Sequence, residues 1–219
     1  MSKKTGILIL TPFYEPNIGG VETHLKDLTD YLRADGGYDI LVLTYQPLTT
    51  KAKAPVFQSN GCLRIIRIPW PGYNLFHKLE AYPILEFLYL TPALFFSALI
   101  LLLACGRRMP VIHAQGFNAA FIGRILAPLF SKRLVVSIHA IYNLGPASML
   151  SRLIRWTLIG SAKILTLSSA SKKELIRIGL RDSRIGVYTY WVDQRHFLPV
   201  SQSDARRSLD WPEVFSVIF

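Results

Sequence analysis

Ile7-Leu-Ile-Leu-Thr11 runs into Pro16-Asn-Ile-Gly19-Gly20-Val-Glu22, and this short junction decides the fold. A brief apolar run that ends in turn residues predicts a buried strand. After the glycine pair, apolar residues recur at spacings of three and four, which is typical of a helix: Val21, Leu25, Leu28 and Leu32. The sequence therefore predicts the strand, turn and helix that open an α/β domain.

Such a junction is suited to binding an anion. The N-terminus of the helix presents free backbone N–H groups, and Gly19 and Gly20 let a bulky phosphate approach the backbone. An ordinary tight turn remains the alternative. A nicotinamide site is disfavoured, because there is no G-x-G-x-x-G motif and the second strand, Asp39 to Thr44, is followed by Tyr45-Gln46, not by an acidic residue.

The composition fits one large domain. The chain has 219 residues, 51% of them hydrophobic, which is enough to bury a full core. Cys62 and Cys105 are isolated and form no metal-binding spacing, which favours a reducing compartment. The first apolar run stops at Thr11-Pro12, shorter than the core of a signal peptide, so we expect a cytoplasmic protein.

The net charge of +11 favours an anionic partner. From Ser131 onward there are 13 Lys and Arg residues against 6 Asp and Glu residues. A membrane surface or a phosphorylated ligand fits this excess, and a merely solvated basic surface remains an alternative. We expect no nucleic-acid partner, because the sequence contains no zinc finger, RNP signature or long basic helix.

Strands and helices alternate along the rest of the chain. Apolar segments predict further strands at 63–68, 111–114, 134–138, 163–167 and 185–188, with helices at about 79–105, 117–130, 147–159 and 171–178. The stretch 46–61 is expected to be irregular. This order predicts an α/β fold: a Rossmann-like parallel β-sheet of about seven strands with helices on both faces. Ligands gather at the carboxyl ends of the strands in such sheets.

The helix near Phe87–Cys105 contains 19 consecutive uncharged residues and is followed by Arg107-Arg108. That length is near the threshold for a membrane span. A span would divide the parallel sheet between the two sides of a bilayer, and Pro92 suggests a kinked or segmented helix. We therefore favour a helix packed on the sheet, with surplus apolar surface for a membrane interface. A wholly buried helix and a span are the alternatives.

The last residues, Trp211 to Phe219, look like the start of another buried strand. We therefore expect a domain at 1–197, a linker at 198–210, and the beginning of a truncated nucleotide-sugar-binding domain at 211–219.

Five segments in order resemble the N-terminal domain of glycosyltransferase family 4, the retaining enzymes of GT-B architecture. They are Pro16-x-x-Gly19-Gly20-Val-Glu22, Val-Ile-His113-Ala-Gln-Gly116, Val-Val-Ser-Ile-His139, Thr-Leu-Ser168-x-x-Ser-Lys-Lys-Glu174 and Val192-Asp193-x-x-x-Phe197-x-Pro199. The resemblance covers about residues 5 to 200. The sequence departs from the family pattern at Tyr190-Trp191, where the family usually has an Asn before the Val-Asp pair.

The resemblance implies one half of a two-domain enzyme. The N-terminal domain would mainly bind the acceptor, and a C-terminal domain would hold a nucleotide-sugar donor. The implied reaction is metal-independent retaining transfer of a sugar to a lipid-linked or polysaccharide acceptor, with no cofactor. The chain by itself is expected to be inactive and to lie peripherally at the inner, cytoplasmic face of a membrane.

Particular residues acquire expected roles from this resemblance. Gly19 and Gly20 would bind the donor diphosphate, and His139 matches the active-site histidine of the family. Acceptor contacts are expected from His24, Gln115 and Phe117. A purely structural role remains the alternative for His139, and packing for His24.

Three other residues have weaker claims to function. Burial within the sheet is the favoured interpretation for His113. Ser168 and Ser171 are better interpreted as turn and N-cap residues of the following helix.

Two other classes of function fit the same sequence. One is a non-catalytic membrane-docking subunit that pairs with a separate donor-binding chain. The other is a nucleotide-sugar epimerase of the same architecture.

Overall fold

The computed structural model describes residues 4–139, 145, 148–189 and 198–212. The chain divides into two compact units, Met1–Thr189 and Tyr190–Phe219. The first unit contains the sheet and its helices. The described part of the second contains one short helix.

Eight strands form one sheet. They are β1 (Thr5–Leu10), β2 (Tyr38–Tyr45), β3 (Phe57–Asn60), β4 (Leu63–Ile68), β5 (Val111–Gln115), β6 (Arg133–Ile138), β7 (Lys163–Thr166) and β8 (Ile185–Val187). Their order is β3-β4-β2-β1-β5-β6-β7-β8, and every pair except β3–β4 is parallel. The predicted Rossmann-like α/β fold is confirmed, with one strand more than the seven expected.

The additional strand, β3, lies within the stretch expected to be irregular. It pairs antiparallel with β4 through Phe57 opposite Ile66 and Asn60 opposite Leu63. Its residues are mostly exposed, so the apolar alternation that identifies a strand is missing. The turn between the two strands is Gly61-Cys62, because Asn60 pairs with Leu63, and Gly61 has a φ of 61°. A glycine at the first position of a two-residue turn is a hairpin signal that the sequence interpretation overlooked.

The helices of the first unit are α1 (Gly20–Asp35), α2 (Tyr73–Leu79), α3 (Pro83–Cys105), α4 (Gly116–Leu129), α5 (Met149–Leu158) and α6 (Ser169–Arg177). The helix expected at about 79–105 corresponds to α3, which begins four residues later at Pro83, and the preceding helix α2 was not expected. α3 continues through Pro92, so the helix is not segmented there. Proline lacks the backbone N–H that a preceding turn would use, but it is well tolerated at the first position of a helix.

Helices cover both faces of the sheet. On one face, Leu25 of α1 packs with Ile9, Ile40 and Val42. The alternate residues of the same strands, among them Leu8, Leu10, Leu41 and Leu43, belong to a larger core that includes α3, α4, α5 and α6. His113 pairs in register with Ile9, so its side chain points to the α1 side of the sheet.

The apolar helix α3 packs on the sheet along one stripe. Its buried residues Leu90, Leu94, Ala98 and Leu102 recur every four positions. The remaining surface, here called the outer face of α3, is exposed and apolar and comprises Ile84, Leu85, Leu88, Phe96, Ile100 and Leu103. The alternative of a wholly buried helix is therefore wrong. By length and composition alone, Pro83–Arg108 also meets the criteria for a membrane span, and 28% of its apolar window is buried.

The described part of the second unit contains helix α7 (Gln202–Ser208), which lies inside the stretch 198–210 expected to be a linker. The Ser201 hydroxyl accepts a hydrogen bond from the backbone N–H of Asp204 and so caps the helix. Residues 213–219, which carry the predicted new strand, lie outside the described residues. The proposed domain boundaries stay a prediction.

Candidate functional site

The candidate site lies at the carboxyl edge of the sheet, where β1 and β5 are neighbours. The chain leaves β1 toward α1 on one face of the sheet and leaves β5 toward α4 on the other. Such a change of direction between adjacent parallel strands opens a crevice outside their carboxyl ends. The segment from Thr11 to Gly20, here called the glycine loop, forms one side of this crevice.

The glycine loop ends in a helix N-terminus without a side-chain cap. The Gly19 carbonyl accepts hydrogen bonds from the backbone N–H and the hydroxyl of Thr23, at 3.1 and 3.0 Å. Gly20 is exposed, and the first backbone N–H groups of α1 have no helical acceptor. A Cβ on Gly19 would lie 2.3 Å from the Glu22 Oε2 atom, so a side chain here would displace that carboxylate.

Asn17 ties the glycine loop to the segment after β2. Its Oδ1 atom accepts three hydrogen bonds of 2.9 Å, from the backbone N–H groups of Leu48 and Thr49 and from the Thr49 hydroxyl. Its Nδ2 atom donates to the Tyr14 carbonyl at 2.9 Å. Because Asn17 is 5% exposed, these bonds are shielded from competing water.

Arg67 supports the same loop from β4. It is 2% exposed and donates to the Glu15 carbonyl at 3.0 Å, to the Pro55 carbonyl at 3.1 Å and to Gln58 Oε1 at 3.0 Å. A buried cation is costly unless it is well hydrogen-bonded, and these carbonyls supply the acceptors. The sequence interpretation missed Arg67, although it follows Leu63 and Ile65 at every second position and therefore lies on their buried face.

Three histidines lie near the ends of β5, β6 and the first turns of α1; we call His24, His113 and His139 the histidine cluster. Gln115 connects two of them: its Nε2 lies 3.0 Å from His113 Nε2, and its Oε1 lies 2.9 Å from His139 Nε2. His113 Nε2 also lies 2.9 Å from the Ser137 hydroxyl. The His24 ring packs on Tyr188, with 5.4 Å between ring centroids.

All three histidines are held in the neutral form. Burial, together with a smaller contribution from repulsion by neighbouring histidines, lowers the pKa of His113 and of His139 to about 4. Burial also lowers the pKa of His24. At neutral pH the cluster therefore offers uncharged imidazoles, which can donate and accept hydrogen bonds but bring no positive charge.

The expected site residues fall into separate groups. His24 and His139 belong to the histidine cluster, which Gln115 joins through its hydrogen bonds, and Gly19 and Gly20 lie in the glycine loop.

The expected acceptor contacts differ in their surroundings. Gln115 is 2% exposed, and both ends of its amide face histidines. Phe117 packs on Phe87 of α3, with 5.8 Å between ring centroids, and is partly buried against the core. The described contacts bring it to α3 and not to the histidines.

Two serines have the structural roles that the sequence suggested. Ser168 is the N-cap of α6, and its hydroxyl accepts from the backbone N–H of Ser171 at 3.1 Å. The preference for burial of His113 is also consistent with its hydrogen bonds inside the sheet. The sequence interpretation missed Ser137 and Tyr188, which have no motif of their own and become relevant only through their contact with these histidines.

The described residues contain no group of three or more His, Cys, Asp or Glu side chains that could hold a metal ion.

Known proteins agree with this architecture. Sucrose-phosphate synthase from Thermosynechococcus elongatus superimposes with a TM-score of 0.66 at 18% identity, over 95% of this chain and 53% of that one. Anabaena HepE, in complex with UDP and glucose, gives a TM-score of 0.56 at 19% identity, over 94% of this chain and 50% of that one. Both are similar in fold, and this chain spans about half of each.

A relative in sequence is the GPI3 subunit of phosphatidylinositol N-acetylglucosaminyltransferase from Saccharomyces cerevisiae. It is 21% identical over 212 residues, which cover 92% of this chain and 42% of the relative. The sequence profile described as Glycosyltransferase Family 4 matches residues 18–195, which is most of the chain. The matched range includes the glycine loop from Ile18 onward and the histidine cluster. The chain therefore belongs to glycosyltransferase family 4.

Proposed function

We propose that this chain is the acceptor-binding half of a retaining glycosyltransferase that transfers a sugar from a nucleotide-sugar to a lipid-linked or polysaccharide acceptor. The observation that carries the proposal is the placement of the glycine loop and the histidine cluster at the carboxyl ends of neighbouring strands in a family 4 domain. A hexosyl donor fits the relatives, since HepE is in complex with UDP and glucose. Because the chain spans 42% of its curated relative, we expect it to be inactive by itself.

The glycine loop would bind the donor diphosphate. Backbone N–H groups at the start of α1 carry the positive end of the helix dipole, and Gly20 is exposed there. Glu22 is 8% exposed, and its carboxylate lies 2.3 Å from where a Cβ on Gly19 would be. We therefore place the approach of the diphosphate at the exposed Gly20. Each hydrogen bond to a charged oxygen contributes about 1.5–3 kcal/mol.

His139 would act at the reacting sugar. Retaining transfer needs charge on the departing diphosphate to be stabilised and the incoming hydroxyl to be held on the same face of the sugar. A neutral imidazole suits the second task, because it orients a hydroxyl without attracting the diphosphate. His24, Gln115 and Phe117 remain proposed acceptor contacts.

Two similar proteins support the proposed acceptor classes, one the lipid and the other the polysaccharide. The curated relative is named a subunit of an enzyme that acts on phosphatidylinositol, which is a lipid. A further solved structure, the catalytic domain of starch synthase IV from Arabidopsis thaliana bound to ADP and acarbose, superimposes with a TM-score of 0.57 at 13% identity. That protein handles a glycan chain. Both acceptor classes therefore enter the experiment below.

The surface of α3 supports the proposed peripheral position at the inner face of an anionic membrane. Its outer face exposes large apolar side chains, and the basic residues Arg107 and Arg108 follow it directly and are exposed. Apolar insertion and attraction to anionic lipids act together in such helices. On α5 the exposed residues Leu153 and Trp156 are interleaved with Arg152 and Arg155, which gives a second exposed surface of mixed basic and apolar residues.

The test is a reaction of the full-length protein with a panel of nucleotide-sugars, with lipid and glycan acceptors, followed by mass spectrometry. Transfer that depends on both donor and acceptor is the expected result. Turnover of the donor without any acceptor would indicate an epimerase. If no donor is turned over with any acceptor, the alternative of a non-catalytic docking subunit is favoured. The yeast relative is likewise named a subunit. Product formation by the 219-residue chain alone would contradict the assignment of half a site.

A further inference from the structure

Gln115 occupies an unusual position between two imidazoles. It is the last residue of β5 and is followed by Gly116, whose φ of 76° turns the chain sharply into α4. A positive φ is costly for other residues, so glycine permits this turn directly after Gln115. The Gln115 side chain remains on the α1 side of the sheet, 3.0 Å from His113 Nε2 and 2.9 Å from His139 Nε2.

The two ends of a glutamine amide have opposite capacities. The carbonyl oxygen only accepts hydrogen bonds, and the nitrogen only donates them. His139 Nε2 must therefore carry a proton to donate to Gln115 Oε1, and His113 Nε2 must carry a lone pair to accept from Gln115 Nε2. Both imidazoles are neutral at neutral pH, so each has one N–H proton. That proton lies on Nε2 in His139 and on Nδ1 in His113.

We propose that Gln115 is a positioning residue that fixes opposite tautomers in His113 and His139, so that His139 can only accept hydrogen bonds at its Nδ1 atom. Any group that meets this nitrogen must donate a hydrogen bond. A hydroxyl of a sugar or of an acceptor qualifies, and an ionised phosphate oxygen does not. The role toward a ligand rests on the proposed function, whereas the tautomers are a property of the protein itself.

The chain of hydrogen bonds is also anchored on β6. The Ser137 hydroxyl lies 2.9 Å from His113 Nε2, and Ser137 is 1% exposed on β6. Tyr188, just after β8, packs on His24. His113 is therefore held from β6 as well as from Gln115, and its ring cannot rotate without breaking both contacts.

Nuclear magnetic resonance can read the tautomers directly. The chain is labelled with ¹⁵N in the imidazole rings, and two-bond ¹⁵N–¹H correlations identify the protonated nitrogen of each of its five histidines. Single-histidine variants assign the signals. We expect an Nε2–H form for His139 and an Nδ1–H form for His113 at pH 7.5. The reverse pair, or the same tautomer in both rings, would overturn the inference.

Two substitutions test the part played by Gln115. In Gln115→Glu the carboxylate accepts from both neighbours, so the His113 proton should move to Nε2 while His139 keeps its own tautomer. An unchanged Nδ1–H form of His113 in a folded Gln115→Glu protein would overturn the role of Gln115. If that variant does not fold, the wild-type measurement decides by itself.

Activity of the full-length protein supplies the second readout. Gln115→Met keeps the side-chain length but removes both hydrogen bonds, and we expect kcat/KM to fall about tenfold, the loss of roughly one buried hydrogen bond. The matched control is Gln46→Met, at the residue that follows β2. It removes a 2.9 Å hydrogen bond from Gln46 Nε2 to the Ala54 carbonyl and should change kcat/KM less than about twofold. Equal losses in the two variants would overturn the positioning role.

The two proposals fail separately. If the tautomers are as stated but no nucleotide-sugar is turned over, the inference stands and the proposed function fails. If sugar is transferred while the tautomers are reversed, the proposed function stands and the inference fails.

Discussion

Two regions of the first unit reverse the usual distribution of polar and apolar residues. At the carboxyl edge of the sheet, the polar side chains Gln115 and Ser137 are 2% and 1% exposed. On the outer face of α3, the apolar side chains Ile100 and Leu103 are 65% and 70% exposed. Buried polar groups and exposed apolar patches are the informative exceptions in a folded protein.

The two exceptions are stabilised in different ways. The buried polar groups satisfy one another through directional hydrogen bonds, so their geometry is fixed by the protein itself. The exposed apolar groups are not oriented by hydrogen bonds, and the free energy gained when they are covered depends on their total apolar area. The first region is therefore suited to a small ligand with defined hydroxyl positions, and the second to an extended apolar surface.

The largest expected effect concerns the pH dependence of stability at the polar region. The folded pKa of His113 and of His139 is about 4, below the 6.5 of an unfolded histidine, so the unfolded chain binds more protons between these values. The free energy of unfolding should be level above about pH 6.5 and fall by roughly 2–4 kcal/mol in total toward pH 4. Urea denaturation over this pH range measures it.

The control for this experiment is the variant His139→Ala, which should lose about half of the pH-dependent difference. Burial raises the pKa of Glu86, so this residue stabilises the fold as the pH falls, opposite to the histidines. Because Glu86 is present in both proteins, subtracting the variant's profile from the wild-type profile cancels its contribution. A wild-type profile that is level from pH 7 to pH 4 would show that the histidines are not held neutral by the fold.

The next effect concerns catalysis by the same region. In the full-length protein, His139→Ala should lower kcat/KM about a hundredfold, because it removes a contact at the reacting sugar. Steady-state kinetics with the donor found by mass spectrometry measures this loss. His77→Ala is the control, since His77 is exposed on α2 and pairs with Glu80. Turnover of His139→Ala close to wild type would assign His139 a structural role.

A smaller loss is expected at the glycine loop. Gly20→Val adds a branched side chain at the exposed start of α1 and should lower kcat/KM about thirtyfold, chiefly through weaker donor binding. Gly37→Val is the matched control at the opposite end of α1, where a Cβ meets only the Asp35 carboxylate, at 3.0 Å. If both variants keep wild-type kinetics, the diphosphate does not bind at Gly20.

The smallest effect concerns the apolar region. The double substitution Ile100→Glu and Leu103→Glu should weaken binding to anionic vesicles about tenfold, because it removes apolar area and adds negative charge. Vesicle flotation measures it, and added salt should weaken wild-type binding partly but not wholly. Tyr31→Glu, at an exposed position of α1, is the control. Equal binding of the double variant and the wild type would remove the outer face of α3 from the interface.

Vesicle binding also separates the two topologies of α3. Release of the protein only by detergent, with resistance to high salt and alkaline carbonate, would mean that the helix spans the membrane.

The fold was largely predictable because apolar periodicity and turn residues are local signals. The strand Leu63–Ile68 has the predicted bounds, and the others differ by a residue or two at their ends. β3 was missed because its exposed residues lack alternation, and α2 because its seven residues are too few to show a helical period. Such features depend on pairing and packing with distant segments.

The site was predictable only in part. His139 and the glycine pair stood out through resemblance to a family, which preserves the order of motifs. The arrangement of Gln115 between two histidines requires β5 and β6 to be adjacent and in register, with Gln115 opposite Ser137. No spacing within the sequence encodes that register, so the hydrogen-bonded chain appears only in three dimensions.

The three hydrogen bonds on the Asn17 oxygen have a consequence for the entropy of binding. They join the glycine loop to the segment at Leu48 and Thr49, so the two loops behave as one rigid piece. Ile18, 84% exposed at the tip, is thus carried on a backbone that folding has already ordered. A ligand that meets this loop does not have to immobilise it, and more of the interaction energy remains for affinity and for orientation of the reacting groups.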